Sequence, residues 1–290
     1  MILVTGASGN AGRAVMDEMR KSSVPFRAMY RSEEDARKAP AGVPAVIADF
    51  ASRESMKDAL AGVDSVYLVC SPNPALVELE SSVIEASRQK GVKHLVLNSA
   101  LGAGDYPKSF PAWHRIVEDK LKTSGLAFTI LRPNSFMQNI LSFIAPSVRQ
   151  QGVFFAAMRD ARTSYLDLRD IAAVIARVLT SPGEHVGRTY ELNGPEAVTY
   201  TELAQRIARV CDRPAKFFDI PEAAQRTSML GLGMPEWQVD ALLDLQRYYT
   251  NGQGGEVTEV LAQLLGRSPL KLDSFLKEFQ DSFRSTATGA

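Results

Sequence analysis

Short apolar runs alternate with amphipathic stretches through the first half of the chain. The apolar runs predict strands at residues 2–5, 26–31, 44–49, 63–69, 92–98 and 127–132. Apolar positions that recur with helical spacing predict helices between them, at residues 11–21, 53–60, 75–90 and 113–124. Strands that alternate with helices over short connectors form a parallel sheet covered on both faces, so we predict a doubly wound α/β fold.

The pattern changes after residue 133, where helical spacing dominates. It predicts helices at 134–148, 169–180, 201–211, 221–230, 235–251 and 272–283. Two short runs, 165–168 and 188–192, predict strands that return to the sheet. We therefore expect a core of residues 1–135, to which 164–194 return, and a smaller, mainly helical lobe of residues 136–163 and 195–290. The terminal residues 285–290 are predicted to fray.

Three glycines follow the first predicted strand at intervals of three residues and precede a helix. Such a turn is tight, its backbone approaches a pyrophosphate and its helix packs closely on the strand, and each requirement excludes a β-carbon. The start of the helix adds free N–H groups and the positive end of its dipole. The predicted dinucleotide site comprises Gly6, Ser8, Gly9, Asn10, Ala11 and Gly12. A glycine-rich turn in another kind of α/β protein is the alternative.

The residue at the end of the second strand indicates which nucleotide binds. NAD sites usually place a carboxylate there for the ribose 2′-hydroxyl, whereas this chain has Arg31. The guanidinium fork of an arginine suits a 2′-phosphate. Because acidic side chains favour helix starts, we expect residues 33–35 to begin a helix. NADP(H) is therefore the preferred cofactor and NAD(H) the alternative, and a solvated Arg31 without a role is the other interpretation.

The loops after the next three strands should also line the cofactor, because the carboxyl ends of parallel strands meet at one edge of the sheet. These loops contribute Asp49, Phe50, Cys70, Ser71, Pro72, Asn98, Ser99 and Ala100. No general base stands beside Cys70 in the sequence, so we interpret it as a packing residue and not as a nucleophile.

Charge and composition narrow the class of protein. The 33 basic and 33 acidic residues cancel, and no long basic run is present, so we predict neither nucleic acid nor membrane as a partner. Two cysteines and the absence of a leading apolar segment favour a cytoplasmic protein. The three histidines are too scattered to predict a metal site.

The ordinary acid of short-chain dehydrogenases is missing. That acid is the tyrosine of a Tyr-x-x-x-Lys pair, and none of the eight tyrosines has a lysine four residues later. On the helix where the pair would stand, the chain carries His114 and Glu118, which share one helix face at a spacing of four residues. Such a pair is either part of the site or an exposed pair without function.

Several separated motifs resemble the NmrA-like family of atypical short-chain dehydrogenases and reductases. They are the Thr5–Gly12 loop, the His114–Glu118 helix, Ser124-Gly125-Leu126, residues 129–139 (TILRPNSFMQN), residues 165–172 (YLDLRDIA) and Leu265-Gly266-Arg267. The family contains quinone reductases, azoreductases and triphenylmethane dye reductases that use NADPH, and also a regulator of nitrogen metabolism. The resemblance implies that the core is a Rossmann domain for NAD(P) and that the smaller lobe binds substrate.

The resemblance also implies roles for individual residues. His114 would lie near the nicotinamide, as a ribose contact or a proton donor, and Glu118 would orient it by a hydrogen bond. The nicotinamide end would be covered by Pro133, Asn134 and Phe136. A flat apolar substrate pocket would be formed by Phe110, Trp113, Phe136 and Met137, with core packing as the alternative for these side chains.

The leading hypothesis is a reductase that passes a hydride from NADPH to a conjugated, aromatic or quinone-like acceptor. Two alternatives stay open: a redox-sensing regulator that binds NAD(P) without turnover, and a C=C or C=N reductase of a specialised pathway. The sequence is compatible with a monomer or a homodimer.

Overall fold

The computed structural model describes residues 1–284, which form two compact units. One unit contains Met1–Arg132 and Ile171–Glu191, and the other contains Pro133–Asp170 and the residues from Leu192 onward. The predicted fraying of residues 285–290 lies outside the described residues. The assignment of cofactor to one part of the chain and substrate to the other stays a prediction.

The first unit is built on a sheet of seven strands flanked by helices. Along the chain these strands are β1 (Ile2–Val4), β2 (Phe26–Tyr30), β3 (Ala45–Ile47), β4 (Ser65–Leu68), β5 (His94–Asn98), β6 (Phe128–Pro133) and, after β7 of the other unit, β8 (Arg188–Leu192). Their order across the sheet is β3-β2-β1-β4-β5-β6-β8, and neighbours from β3 to β6 pair in parallel. This order confirms the predicted doubly wound fold, with its switch point between β1 and β4.

Six helices belong to this unit, wholly or for most of their length. They are α1 (Asn10–Met19), α2 (Glu33–Ala36), α3 (Arg53–Ala59), α4 (Leu76–Gln89), α5 (Ser109–Thr123) and α8 (Leu168–Thr180). Most side chains of the outer strands β3 and β8 are exposed or half-buried, whereas the inner strands are covered on both faces, and Leu3, Val66 and Leu95 are fully inaccessible. These side chains join one apolar core with Leu76 of α4 and Val117 of α5.

The second unit is mainly helical and contains a two-stranded parallel sheet. Its strands are β7 (Val153–Ala156) and β9 (Lys216–Asp219). Its helices are α6 (Gln138–Phe143), α7 (Ala145–Gln151), α9 (Tyr200–Cys211), α10 (Glu222–Gly231), α11 (Glu236–Thr250), α12 (Val260–Leu265) and α13 (Leu272–Glu278). Its core includes Ile140, Phe154, Ile207 and Phe275.

The sequence prediction differs from the structure at short elements. The strand expected at residues 165–168 is wrong: Leu166 makes only an isolated bridge to Phe136. The reason is local, because Asp167 within this run is buried and accepts hydrogen bonds from Gln138 and Arg169. The strand predicted at 188–192 is confirmed as β8, whereas β7, β9 and α12 were not predicted. Elements of four to six residues are too short to show a clear hydrophobic period.

Candidate cofactor and active site

The glycine loop between β1 and α1 requires glycine at two positions. Gly6 adopts φ +60°, and a β-carbon there would lie 2.7 Å from the Val69 side chain. A β-carbon on Gly12 would lie 2.2 Å from the carbonyl oxygen of Gly6. Gly6 thus makes the sharp turn, and Gly12 permits α1 to start against the loop, as the glycine spacing predicted.

Gly9 is less crowded than the other two glycines, although a β-carbon there would still make a tight contact. A β-carbon there would meet only the Gly6 carbonyl oxygen, at 3.3 Å. Gly9 caps α1 without a side-chain hydrogen bond, so the first amides of the helix are left for another acceptor. Ser8, Gly9 and Asn10 are also exposed. An exposed turn at an uncapped helix start fits a pyrophosphate.

Basic side chains lie beside this loop, where a ribose phosphate would need them. Arg31 directly follows β2 and is exposed, and the acidic residues after it begin α2, as predicted. Next to the loop, a small cavity has both basic and acidic side chains in its wall. Its lining includes Ser8, Arg13, Tyr30, Asp35 and Lys38. The part of Arg31 in nucleotide choice stays a prediction.

The loops after β3 and β4 give most of their predicted site residues a structural partner. The Asp49 carboxylate accepts a hydrogen bond from the Ala51 amide at 2.8 Å, and Phe50 packs against the core. Burial and the neighbouring Glu80 raise the pKa of the half-buried Cys70 to about 11. Cys70 therefore stays a thiol at neutral pH, which agrees with packing and not with a nucleophile. The loop around Cys70 leaves Ser71 and Pro72 exposed.

Glu118 of α5 takes part in a hydrogen-bond network beside the carboxyl end of β5. This network does not include a hydrogen bond to His114. Its carboxylate accepts hydrogen bonds from Ser99 at 2.6 Å, from the Arg132 fork at 2.7 and 2.9 Å, and from Lys122 at 3.0 Å. Burial opposes its ionisation, but the Arg132 and Ser99 hydrogen bonds outweigh burial and lower its pKa.

The expectation that Glu118 orients His114 is therefore wrong. Because an Arg132 fork on the neighbouring strand occupies both carboxylate oxygens, Glu118 anchors the loop after β5 through Ser99. Beside Ser99, Asn98 accepts a weak hydrogen bond from the Tyr67 hydroxyl at 3.3 Å, and Ala100 is half-buried.

His114 instead faces Glu80, a residue that the sequence reasoning missed. The His114 Nδ1 atom lies 3.9 Å from Glu80 Oε2, and both residues are buried. Burial lowers the pKa of His114 to about 4 and raises the pKa of Glu80 to about 8. The available signal was a glutamate on the apolar face of α4, four residues after the buried Leu76.

In the second unit, Asn134 is fully engaged by protein groups. Its amide donates to Asn193 Oδ1 and the Gly254 carbonyl, both at 2.9 Å. Its oxygen accepts from the Tyr249 hydroxyl at 3.0 Å and from the Ser135 amide at 2.8 Å. A side chain with four such partners is held in place by protein groups. The expectation that Asn134 helps to cover the nicotinamide end stays a prediction.

The four residues predicted to form the substrate pocket have different environments. Phe110 and Trp113 are half-buried and meet edge to face, with ring centroids 5.3 Å apart. Phe136 is half-buried, but Met137 is fully inaccessible within the core of the second unit. Met137 is therefore a core residue and not a substrate contact. Pro133 is buried at the end of β6, and its role at the nicotinamide end stays a prediction.

Among residues 1–284, no group of three histidine, cysteine or acidic side chains is placed to hold a metal ion. Within the same residues, every helix is too short or too polar to cross a membrane.

Comparison with known proteins places the chain in a family. A family model described as NAD(P)H-binding matches residues 6–182. An NAD(P)H azoreductase of Xenophilus azovorans is 32% identical over 98% of this chain and 99% of its own. A (4-alkanoyl-5-oxo-2,5-dihydrofuran-3-yl)methyl phosphate reductase of Streptomyces griseus is 33% identical over the same shares.

The structures agree with the sequences. The Escherichia coli NADPH-dependent quinone oxidoreductase complexed with NADPH superimposes with a TM-score of 0.88, at 29% identity, over 96% of this chain and 99% of its own. The family resemblance drawn from the motifs is thereby confirmed. The glycine loop lies within the matched segment, and the chain belongs to the NAD(P)H-binding family of reductases.

Proposed function

We propose that this protein is an NADPH-dependent reductase that passes a hydride to a conjugated acceptor such as a quinone, an azo compound or a cationic dye. One observation carries the proposal: the tight glycine turn at Gly6–Gly12, with its uncapped helix start, lies at the same carboxyl edge of the sheet as the start of α5, and α5 has no Tyr-x-x-x-Lys acid. Relatives named as an azoreductase and a quinone oxidoreductase support these acceptor classes.

The chain's own groups account for cofactor binding. The Gly9 cradle and the amides at the start of α1 would hold the pyrophosphate. Arg31 at the end of β2 would bind the 2′-phosphate, with Arg13 and Lys38 adding positive charge. When bound, reduced nicotinamide supplies a hydride, that is, two electrons and a proton.

Conjugated acceptors fit a site without a tyrosine acid. They are already electrophilic, so the protein contributes chiefly by holding acceptor and hydride donor together. Phe110 and Trp113 offer an edge-to-face aromatic surface on α5 for a flat molecule. An alcohol dehydrogenase would instead need an acid strong enough to protonate an unactivated carbonyl oxygen.

The test measures oxidation of NADPH and of NADH by the purified protein with a simple quinone, an azo dye and a cationic triphenylmethane dye. Turnover with NADPH, and slower turnover with NADH at equal concentration, is the expected result. A Gly9→Val variant with an unchanged melting temperature is the matched control, and it should be inactive with every acceptor.

Two other results would lead to different functions. NADPH binding without oxidation by any acceptor would favour the regulator that senses redox state. Activity confined to an unsaturated lactone would favour a C=C reductase, in line with the relative named as a dihydrofuranyl methyl phosphate reductase.

A further inference from the structure

Two buried polar groups in the first unit face each other without hydrogen bonds. Neither carboxyl oxygen of Glu80 has a hydrogen-bond partner, and neither has Nδ1 of His114. The Glu80 side chain is fully inaccessible, and 9% of the His114 side chain is accessible. Nδ1 itself is buried, so the accessible part of the side chain consists of other atoms.

The distance between the two groups suits a transient hydrogen bond. Nδ1 and Oε2 are 3.9 Å apart, and an approach of about 1 Å would bring them within bonding distance. Side-chain hydrogen bonds in active sites are often long without ligand and shorten when substrate binds. Helices α4 and α5 pack side by side, so a small rotation of either side chain is enough.

The surroundings favour protonation of Glu80. Tyr67 of β4 and Cys70 of the following loop are uncharged groups close enough to Glu80 for its charge to affect their pKa values. The carboxylate of Glu118 on α5 acts on His114 and raises its pKa, but Glu118 is also paired with Arg132. Burial raises the pKa of Glu80. The Cys70 backbone amide lies close enough to offset part of this increase, although it makes no hydrogen bond of normal geometry to either Glu80 oxygen.

A buried carboxyl group without a partner destabilises a folded chain, whereas an apolar side chain at the same position of α4 would not. The position of the Glu80 carboxyl group against His114 of α5 therefore has a reason other than stability. Glu80 lies in the first unit, beside the backbone of Cys70 in the loop after β4. This loop is at the carboxyl edge of the sheet, where this fold binds its cofactor.

We infer that Glu80 and His114 form a proton-sharing pair. His114 donates a proton to the reduced acceptor, and Glu80, a positioning residue that acts through His114, gives its own proton to His114 in return. The inference rests on the proposed function, because the acceptor is the one reduced there. It also resolves the two roles left open for His114 in favour of proton donation.

The proton balance can be written completely. A quinone takes up one hydride and one proton and becomes a hydroquinone. The proton leaves His114 Nε2, and the Glu80 carboxyl proton moves to Nδ1, so that a neutral imidazole and a carboxylate remain. Solvent then returns one proton to the pair. A carboxylic acid with a neutral imidazole holds as many protons as a carboxylate with an imidazolium, so either form can start the transfer.

Two kinds of acceptor distinguish proton supply by Glu80 and His114 from a general effect on turnover. A cationic triphenylmethane dye needs only the hydride, which joins its central carbon and gives a neutral product, whereas a quinone also needs the proton. Glu80→Gln keeps an N–H donor toward Nδ1 but has no transferable proton. We expect it to lower kcat with the quinone about tenfold or more and to leave kcat with the dye within about twofold.

The matched control is Ser87→Ala. Ser87 is also fully buried on α4 with an unpartnered hydroxyl, but it lies two turns beyond Glu80. It should change neither kcat. The wild-type kcat with quinone should fall as pH rises through about 8, because Glu80 then loses its proton. Glu80→Gln should not show this decline.

A readout without turnover tests the pair in the protein alone. The chain has three histidines, so their imidazole ¹⁵N signals can be assigned by substitution. Ionisation of Glu80 should transfer the His114 proton from Nε2 to Nδ1, which moves both nitrogen signals between about pH 7 and 9. Glu80→Gln should abolish this movement.

Several outcomes would overturn the inference while the proposed function stands. These are equal losses of quinone and dye activity in Glu80→Gln, an unchanged quinone kcat, or His114 signals that do not move. If none of the acceptors supports oxidation of NADPH by the wild type, the proposed function fails. The ¹⁵N titration alone then decides whether the pair shares a proton.

Discussion

His94, at the amino end of β5, and His114, on α5 near the carboxyl ends of the strands, are both buried, and they have different partners. His94 opens β5, and its Nε2 lies 2.9 Å from the Thr129 hydroxyl, which donates to the His185 carbonyl at 2.8 Å. Nε2 of His94 must therefore be the donor, which fixes its tautomer. His114, near the opposite edge, faces the Glu80 carboxyl at 3.9 Å without a hydrogen bond at Nδ1.

Burial does not distinguish these two histidines. It lowers the pKa of each to about 4. The difference lies in their partners. The Thr129 hydroxyl can only hold the His94 ring, whereas a carboxyl group can also exchange a proton with His114. We therefore expect substitutions at the amino edge to change stability and substitutions at the carboxyl edge to change binding or turnover.

The largest expected effect is at the glycine loop. Gly9→Val places a side chain in the turn proposed to hold the pyrophosphate, so NADPH affinity should fall by more than about a thousandfold, or roughly 4 kcal/mol. Fluorescence titration measures this loss. Gly183→Val, at a glycine with open space beside His185, is the control and should bind NADPH normally. If a folded Gly9→Val protein bound NADPH normally, the cofactor would not bind at this loop.

At the amino edge, His94→Ala should lower stability without lowering turnover. It leaves a cavity and removes a buried hydrogen bond to Thr129, so the free energy of unfolding should fall by about 2 to 4 kcal/mol. Urea unfolding at pH 7 measures the fall. A large loss of kcat in a protein that remains folded would contradict the division between the two edges.

His114→Ala should show the reverse pattern. Removal of the proton donor should lower kcat with a quinone about a hundredfold, with the protein still folded. Steady-state kinetics beside a melting curve test both statements. An unchanged kcat would leave His114 as a packing residue of α5.

Acid should reveal the lowered pKa of His94. The folded protein binds fewer protons than the unfolded chain between about pH 6.5 and 4, so stability is lost as pH falls through this range. His94→Ala lacks this loss, and its stability deficit relative to the wild type should shrink by about 2 kcal/mol between pH 7 and pH 5. Urea unfolding at both pH values checks this, and a constant deficit would mean that His94 titrates normally.

The smallest effect concerns nucleotide choice. Arg31→Asp should weaken NADPH about tenfold while NADH changes little, because only NADPH has the 2′-phosphate. Arg37→Asp, directly after α2, is the control for general charge effects, because Arg37 is exposed and paired with Glu33. Equal losses for both nucleotides would show that Arg31 does not recognise the phosphate.

Much of the first unit could be predicted because its signals are local. Each strand is an apolar run, and the glycine loop is contiguous in sequence, so the fold and the phosphate cradle follow from neighbouring residues. The hydroxyl of Tyr249 that engages Asn134 lies 115 residues away along the chain, so no local pattern could show that this amide was already occupied.

The sequence by itself determined the doubly wound sheet, the glycine turn and the absence of a Tyr-x-x-x-Lys acid, because hydrophobic period and residue spacing are properties of short segments. Only the tertiary structure decided which carboxyl meets which base. Glu118, on the same helix as His114, is held by Arg132 from a neighbouring strand, whereas Glu80 reaches His114 from another helix. Pairing in a packed interior depends on the positions of whole elements, which no spacing along one helix can specify.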